Sequence, residues 1–490
     1  MRLTDLLKKI STHKVIGEVE PKWVEKITND SREVDNNTLF IAIRGYEKDG
    51  HDYVLEAISK NASAIILQED VIPDDIFLKS GCVKILVKNS RETLAQVSDT
   101  FYNKPSVQIN LIGITGTKGK TTTTYLIKNV LMSAGYKVGL IGTIANYIDQ
   151  TRIDTRLTTP EAHTTNKLLR NMVENKCEYC VMEVSSHALS LGRVNLLDFK
   201  YGIFTNITAD HFDFHHDFQS YLKAKKTLFD NLNQNSTAII NSDDKSYNQI
   251  LKDSAAKTVL YGIDGEADFR ISKVDFSLDG TTFNLTHNNF NEQFTTQLIG
   301  EFTAYNAAAA IALTYSIGID LEIIKKGILS TPQVPGRFEV IGNKNKKVVV
   351  DYSHTADSLR KALNSIKHIN QNKQPIFTVF GCGGSRDKGK RPVMGEIASS
   401  LSNKVFITSD NPRNEDPYKI IDDILQGIKE KNYEVIENRE EAIKKALTDD
   451  DNAIVLIAGK GHENYQEING VRNHFSDKEV ALKYMGKCQE

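Results

Sequence analysis

Leu111-Ile112-Gly113-Ile114-Thr115-Gly116-Thr117-Lys118-Gly119-Lys120-Thr121-Thr122-Thr123 is the stretch on which the reading of this 490-residue chain turns. The apolar run from Val107 to Ile114 predicts a buried strand, and Leu126, Val130 and Leu131 continue as a helical pattern. Between them lies a glycine loop. Strand, glycine loop and helix form the setting that a phosphate-binding loop requires. The glycines let backbone N–H groups approach phosphate oxygens, and a helix N-terminus favours anions. Gly116, Thr117, Lys118 and Gly119 would line the loop. Lys120 would reach the terminal phosphates, and Thr121 would offer its hydroxyl to Mg²⁺. The pattern departs from the full Walker spacing, because Ile114 stands where its first glycine belongs.

The chain around this loop is long enough for roughly three domains. Lys and Arg total 61 against 63 Asp and Glu, a net charge of −2. That balance argues against a general nucleic-acid or membrane-surface binder. With 40% apolar residues the chain can build ordinary cores. It shows no signal-peptide pattern and no apolar run long enough to span a bilayer, so a cytoplasmic protein without membrane insertion is expected. Cys82, Cys177, Cys180, Cys382 and Cys488 are too scattered for a disulfide framework. Cys177-x-x-Cys180 lacks the second ligand pair of a zinc site. No internal repeat or low-complexity tract is found.

Before the loop, residues 1–106 mix short strands, at 38–43, 62–67 and 83–87, with helices. Asp30-Ser31-Arg32 reads most simply as a turn or a helix cap. Residues 107–333 alternate strands and helices and predict a mostly parallel sheet. Buried strands are expected at 179–184, 201–207 and 237–240. In such sheets ligands sit beyond the carboxyl ends of the strands. Glu183 and His211 fall at such ends and could complete a metal site begun by Thr121; separately, one reads as a capping acid and the other as a core histidine. Thr158-Thr159-Pro160-Glu161 adds a polar loop.

Phe218, Tyr221, Leu222, Leu228, Phe229 and Leu232 form one helical stripe. Lys225 lies in its middle. An ammonium there must snorkel, pair, or lose its proton and become a nucleophilic amine.

Residues 334–490 predict another α/β domain, with strands at 347–351, 375–380, 405–409 and 453–458. Each runs into a polar loop: Asp351-Tyr352-Ser353-His354, Gly381 to Lys388, Asp410-Asn411-Pro412-Arg413, and Gly459-Lys460-Gly461-His462-Glu463. Arg, Asp and Glu gathered at one sheet edge suit a zwitterionic ligand.

Taken together, Thr115-Gly-Thr-Lys-Gly-Lys-Thr121, Glu183-Val-Ser-Ser-His187, Asp210-His-Phe-Asp213, Ala224-Lys225, Asp351-Tyr-Ser-His-Thr355, Arg386-Asp-Lys-Gly-Lys-Arg391 and Asp410-Asn-Pro-Arg413 resemble the Mur ligases. These are the ATP-dependent amino-acid-adding enzymes of peptidoglycan synthesis, and the likeness is strongest to the branch that adds diaminopimelate. The resemblance covers the whole chain. It implies a three-domain α/β fold: a UDP-sugar domain (1–106), a central P-loop-type ATPase domain with a mostly parallel sheet (107–333) and a Rossmann-like amino-acid domain (334–490). It implies ATP contacts at residues 116–122, Asn306 and Arg337. Mg²⁺ would be held by Thr121, Glu183, His211 and Lys225, the last as a carbamate. Asn29, Ser31, Tyr46, Glu47 and Lys48 would bind the UDP-sugar, and Thr158, Thr159, Ser185 and Arg193 its muramyl dipeptide arm. Arg386, Asp410, Asn411, Pro412, Arg413, Gly459 and Glu463 would hold meso-diaminopimelate.

The implied reaction joins meso-diaminopimelate to the D-Glu γ-carboxylate of UDP-MurNAc-L-Ala-D-Glu through an acyl phosphate, carried out by a monomer. Lys120, Glu183, His211 and Lys225 would carry the catalysis. Lys118 stands where the family usually has Asn, His216 where Gly is expected, and Leu191 where some members have a polar residue. Rival readings are an L-lysine-adding or folylpolyglutamate-type ligase and, from another class, a nucleotide-driven switch.

Overall fold

The computed structural model describes residues 1–45, 48–342, 347–371 and 373–487. The chain gathers into two compact units: Met1–Lys120 with Ala134–Leu260, and Thr121–Ser133 with Tyr261–Glu490.

The first unit begins with a five-stranded sheet in the order Thr12–Ile16, Val83–Val87, Ala64–Leu67, Thr38–Ile41, Lys26–Thr28. Only Thr12–Ile16 runs antiparallel to its neighbour. Leu39, Ile41, Ile66 and Ile85 fill one face, and Phe40, Ile65 and Phe77 the other. Burial on both faces is why these strands read as unbroken apolar runs.

The sheet that positions the site follows. Asn110–Thr115 lies between Tyr179–Glu183 and Phe199–Phe204, all parallel. Val138–Ile141 and Thr237–Asn241 extend it on either side. The register pairs Glu183 with Ile114 and Phe204 with Thr115, so the three carboxyl ends finish level. An antiparallel hairpin, Asn146–Ile148 with Thr151–Ile153, closes one edge. The helix Phe218–Asp230 buries Tyr221, Leu222, Leu228 and Phe229 against this sheet's core. Each such side chain contributes about 1.5–3 kcal/mol relative to exposure.

In the second unit, residues 121–133 continue the helix that starts at Lys120. They pack against the helix Leu321–Leu329 so closely that a Cβ on Gly327 would lie 2.7 Å from the Val130 Cα. Phe269–Ser277, Gly280–His287 and Phe290–Thr296 form an antiparallel meander. The C-terminal sheet has the order Glu339–Gly342, Lys347–Asp351, Ile454–Ala458, Ile376–Phe380, Lys404–Ile407, Tyr433–Val435. All but the first are parallel. A buried pair, Arg439 with Asp477, locks its end: Nε and Nη2 reach the two carboxylate oxygens at 2.7 and 2.8 Å, and Nη2 also donates to the Ala458 carbonyl. Losing one partner of such a pair typically costs about 3–5 kcal/mol.

The strands expected at 83–87 and 347–351 are found with those limits. The run expected from Val107 does not become strand until Asn110, because Pro105–Gln108 is a 3₁₀ turn. The strand expected at 201–207 is Phe199–Phe204, so His211 stands seven residues beyond its end rather than at it. The meander was not anticipated, although Phe269 to Ser277 alternates buried and exposed residues. Cys82, Cys177, Cys180 and Cys382 are buried and form no disulfide among the described residues. Among the described residues no helix is long and apolar enough to cross a membrane.

Candidate active site

The glycine loop is held from the next strand's exit. A Cβ on Gly116, whose φ is 151°, would fall 1.9 Å from the Thr205 Oγ1, so no side chain fits there. The Thr117 N–H donates to the Asn206 carbonyl at 2.8 Å, and the Lys118 N–H donates to the Asn206 Oδ1 at 3.0 Å. Thr205 Oγ1 returns a hydrogen bond to the Lys118 carbonyl at 2.6 Å. The Lys120 ammonium donates to the Gly116 and Thr117 carbonyls at 2.9 and 3.2 Å. Lys118, the residue in place of Asn, sets its ammonium 3.4 Å from Asp210 Oδ2.

Lys225 does not snorkel. It is 1% exposed, and its Nζ donates to the same Gly116 carbonyl at 2.8 Å. The Tyr221 ring centroid lies 4.5 Å from this Nζ. Burial first, and the Lys120 charge second, push its pKa well below the ordinary lysine value, against a smaller opposing pull from Asp210. A fully buried lysine whose charged form is disfavoured is a chemical feature rather than a packing one.

Glu183 ends its strand at 1% exposure. Its carboxylate accepts from the Thr143 N–H at 2.8 Å and the Thr143 hydroxyl at 3.0 Å. Thr143 follows the strand Val138–Ile141 and was missed, although the strand-end rule points to it. His211, with φ 57°, caps the short helix Phe212–His215. His216, at the position expected to be Gly, has φ 67°, the backbone region that favours glycine. The His187 and His211 rings meet edge to face at 5.0 Å.

Nearby, the Thr159 hydroxyl donates to the Glu183 carbonyl at 2.8 Å and accepts from the Ser185 N–H at 3.0 Å. Thr158 Oγ1 lies within hydrogen-bond distance of Thr143 Oγ1, at 3.1 Å. The Ser185 hydroxyl caps the helix Ser186–Ser190. Arg193 pairs with Glu161 at 2.8 Å, donates to the Thr159 carbonyl, and leaves its buried Nε without a partner among the described residues. Leu191 is the C-cap of the Ser186–Ser190 helix. In the N-terminal sheet region, Asn29 is half-buried just past Lys26–Thr28, and the Ser31 hydroxyl donates to Glu56 at 2.9 Å. Asp30 caps the turn Ser31–Glu33, as the simpler reading of that tripeptide holds. Lys48 is exposed, while Tyr46 and Glu47 lie outside the described residues.

Within the second unit, Thr122 is buried, the Thr121 hydroxyl accepts from Arg337 Nη2 at 3.2 Å, and the Thr123 hydroxyl donates to Asn306 Oδ1 at 3.4 Å. Arg337 also lies over the Tyr352 ring at 4.7 Å.

The C-terminal loops converge as expected. Asp410, Asn411 and Pro412 are buried. Asn411 Nδ2 donates to Glu463 Oε2 at 2.9 Å. Gly459, at φ 117°, admits the Asp410 carboxylate so closely that a Cβ would meet Oδ2 at 2.5 Å. Arg413 donates through Nη1 to the Gly384 carbonyl at 2.7 Å and makes no ion pair with Glu415 or Asp416 among the described residues. A Cβ on Gly383 would be 2.9 Å from that Nη1 and 3.9 Å from the Cγ of the exposed Arg386, so both guanidinium chains flank one glycine. The fully buried Arg391, given no role of its own in the sequence, ties the two loops: it pairs with Glu415 and Asp423 at 3.1 and 2.8 Å and donates to the Gly383 carbonyl.

The described residues contain no group of three or more His, Cys, Asp or Glu side chains able to hold a metal on their own. Beside the His211 imidazole, the donors present are hard oxygens, the buried Glu183 carboxylate foremost. That fits Mg²⁺, which takes one or two carboxylates and completes its shell with phosphate oxygens and water.

The description "Mur ligase family, catalytic domain" matches residues 24–102, "Mur ligase middle domain" 114–314, and "Mur ligase, glutamate ligase domain" 336–461. The UDP-N-acetylmuramoyl-L-alanyl-D-glutamate–2,6-diaminopimelate ligase 1 of Clostridium acetobutylicum is 42% identical, over 99% of each chain. The ligase so named from Clostridioides difficile is 43% identical, over 99% of this chain and 100% of its own. A solved structure of a UDP-N-acetylmuramoyl-L-alanyl-D-glutamate–2,6-diaminopimelate ligase superposes with a TM-score of 0.69 at 30% identity, covering 100% of this chain and 99% of that one. Full-length likeness of this order, on a chain whose glycine loop, strand ends and C-terminal loops are built as described, leads to one conclusion: the chain belongs to the Mur ligase family and has its three-domain α/β fold.

Proposed function

We infer that the protein is an ATP-dependent amide-forming ligase that joins meso-diaminopimelate to the D-Glu γ-carboxylate of UDP-MurNAc-L-Ala-D-Glu, a step in peptidoglycan precursor synthesis. The observation that carries the reading is the gathering of Asp410, Asn411, Arg413, Gly459 and Glu463 at one sheet edge, in a chain with full-length relatives named for this reaction. We assign the UDP-sugar to residues 1–106, ATP to 107–333 and the amino acid to 334–490. Asn29, Ser31 and Lys48 would bind the UDP-sugar; Thr158, Thr159, Ser185 and Arg193 its dipeptide; Asn306 and Arg337 the nucleotide. ATP and a UDP-linked sugar are cytoplasmic substrates, and one chain carries every proposed site residue, which supports a cytoplasmic monomer.

On ATP binding, Lys120 would exchange its two carbonyl hydrogen bonds for phosphate oxygens, and Gly116–Gly119 would present N–H groups to them. The D-Glu carboxylate attacks the γ-phosphorus, and the bond to ADP breaks. An amine of diaminopimelate then attacks the acyl carbon, phosphate leaves, and the nitrogen loses a proton as the amide forms. Thr121, Glu183, His211 and a carbamylated Lys225 would hold Mg²⁺, which supplies charge neutralisation at the transferring phosphoryl group.

The setting of Lys225 supports the carbamate. A free amine adds to CO₂, forming an N–C bond and releasing one proton; the product is an oxygen anion where an ammonium would be desolvated. Lys225→Ala should lose most activity, and acetate, restoring a carboxylate to the vacated space, should return part of it. Full activity in Lys225→Ala, or no recovery at any acetate concentration, would count against the carbamate.

The function itself is tested by incubating the protein with ATP, Mg²⁺, UDP-MurNAc-L-Ala-D-Glu and meso-diaminopimelate. Mass spectrometry should find the acceptor heavier by diaminopimelate minus water.

A further inference from the structure

The amino-acid pocket contains one more cation. Lys460, between Gly459 and Gly461, is 0% exposed. Its Nζ donates to Asn411 Oδ1 at 3.1 Å and to Glu463 Oε2 at 3.3 Å, and it lies 5.4 Å from the Tyr465 ring centroid. Burying an ammonium is costly unless it is paired, and the partners here are two residues assigned to the ligand.

Those two partners depend on Lys460 to different degrees. The Asn411 amide is oriented twice over, because the Glu467 N–H also donates to Oδ1 at 2.9 Å. Glu463 has less support. Its side-chain hydrogen bonds among the described residues come from Asn411 and Lys460, and both end on Oε2. Oε1 remains for another donor. Burial raises the proton affinity of this carboxyl; Lys460 opposes that, and the neighbouring Asp410 adds to it.

We propose that Lys460 is a positioning residue for amino-acid recognition: it clamps the Glu463 carboxylate by one oxygen and so presents Oε1 to an ammonium group of the incoming diamino acid. The proposal rests on the reading of this pocket as the diaminopimelate site. Lys460 touches no reacting atom in this account; it acts through Glu463.

The test is steady-state kinetics of amide formation by Lys460→Met and Glu463→Gln, with thermal unfolding as a control for folding. Lys460→Met should raise KM for meso-diaminopimelate by about 10–100-fold, the range of a lost charged hydrogen bond. Its KM for ATP and for the UDP-sugar, and its kcat at saturation, should stay within about threefold, the pattern of lost ground-state recognition. An equal deterioration of all three KM values and of kcat would mean a merely structural lysine and would overturn the proposal. A raised KM in Glu463→Gln with none in Lys460→Met would overturn it while leaving the pocket intact. An unchanged KM in Glu463→Gln would overturn the pocket reading and this proposal together. If Lys460→Met does not fold, the double variant Lys460→Met/Glu463→Gln removes both charges. Its KM should match that of Glu463→Gln within about threefold, as expected for residues acting as one unit; a further tenfold rise would show Lys460 acting apart from Glu463 and overturn the proposal.

Discussion

The wild-type protein should use meso-diaminopimelate about 10⁴–10⁵ times better than L-lysine, measured as kcat/KM, which is the discrimination available when a site loses a required polar partner. Diaminopimelate carries a second carboxylate at its far end; lysine does not. Arg413 is the group that would read it. Its backbone is held on both sides, the N–H donating to the Glu467 carbonyl at 3.0 Å and its carbonyl accepting from the Asn469 N–H at 2.7 Å. Nη1 is committed to the Gly384 carbonyl, which fixes the plane of the guanidinium and leaves its other N–H groups to meet a carboxylate. A planar fork can make two parallel hydrogen bonds to a carboxylate, and an ammonium cannot reproduce them. Lysine would set its own ammonium toward Arg413 with no anion between them. Arg413→Ala should therefore raise KM for diaminopimelate steeply and leave the values for ATP and the UDP-sugar near normal. Comparable kcat/KM for the two amino acids in the wild-type protein would contradict the assignment and favour a lysine-adding ligase.

Lys120→Ala should reduce amide formation by about 10²–10³, the usual size of a lost charge stabiliser at a transferring group. Its ammonium already sits at the loop, on the Gly116 and Thr117 carbonyls, and need move only a short way to meet phosphate oxygens. The UDP-sugar should still bind with nearly normal affinity, since Asn29, Ser31 and Lys48 belong to a separate sheet region. Equilibrium binding of the UDP-sugar alongside the turnover assay separates the two effects. Near-normal turnover by Lys120→Ala would show that the glycine loop is not the ATP site.

Elements whose signals are local were legible in the sequence. Val83–Val87 and Lys347–Asp351 are apolar runs ended by polar turns, and the structure keeps their limits. The stripe from Phe218 to Leu232 gave the buried face of the helix Phe218–Asp230. It could not say whether Lys225 escapes to water. That depends on the Gly116 carbonyl, 109 residues away, which accepts from its ammonium. The start of the phosphate-loop strand was misjudged because Pro105 opens a turn that the apolar residues after it disguise. The meander was missed because the βα alternation around it suggested a parallel sheet, while its own period-two pattern and the two-residue turn Leu278-Asp279, closed by the Ser277–Gly280 pair, pointed to hairpins.

The site was legible where loops follow strands and obscure where support comes from elsewhere. Glu183 could be chosen by its place at a strand end, whereas Thr143, which holds its carboxylate, lies 40 residues earlier. Arg391 and Lys460 look like solvent-facing charges in polar segments. They are buried only because Glu415 and Asp423 enclose one, and Asn411 and Glu463 the other.

The central claim is that ATP cleavage makes an amide bond, and the dependence of ADP release on each substrate tests it most directly. With ATP and Mg²⁺ present, the account predicts sustained ADP release only when UDP-MurNAc-L-Ala-D-Glu and meso-diaminopimelate are both added, with one amide-linked product formed per ADP. Sustained ADP release from ATP alone, with no ligated product, would contradict it and make the protein a nucleotide-driven switch.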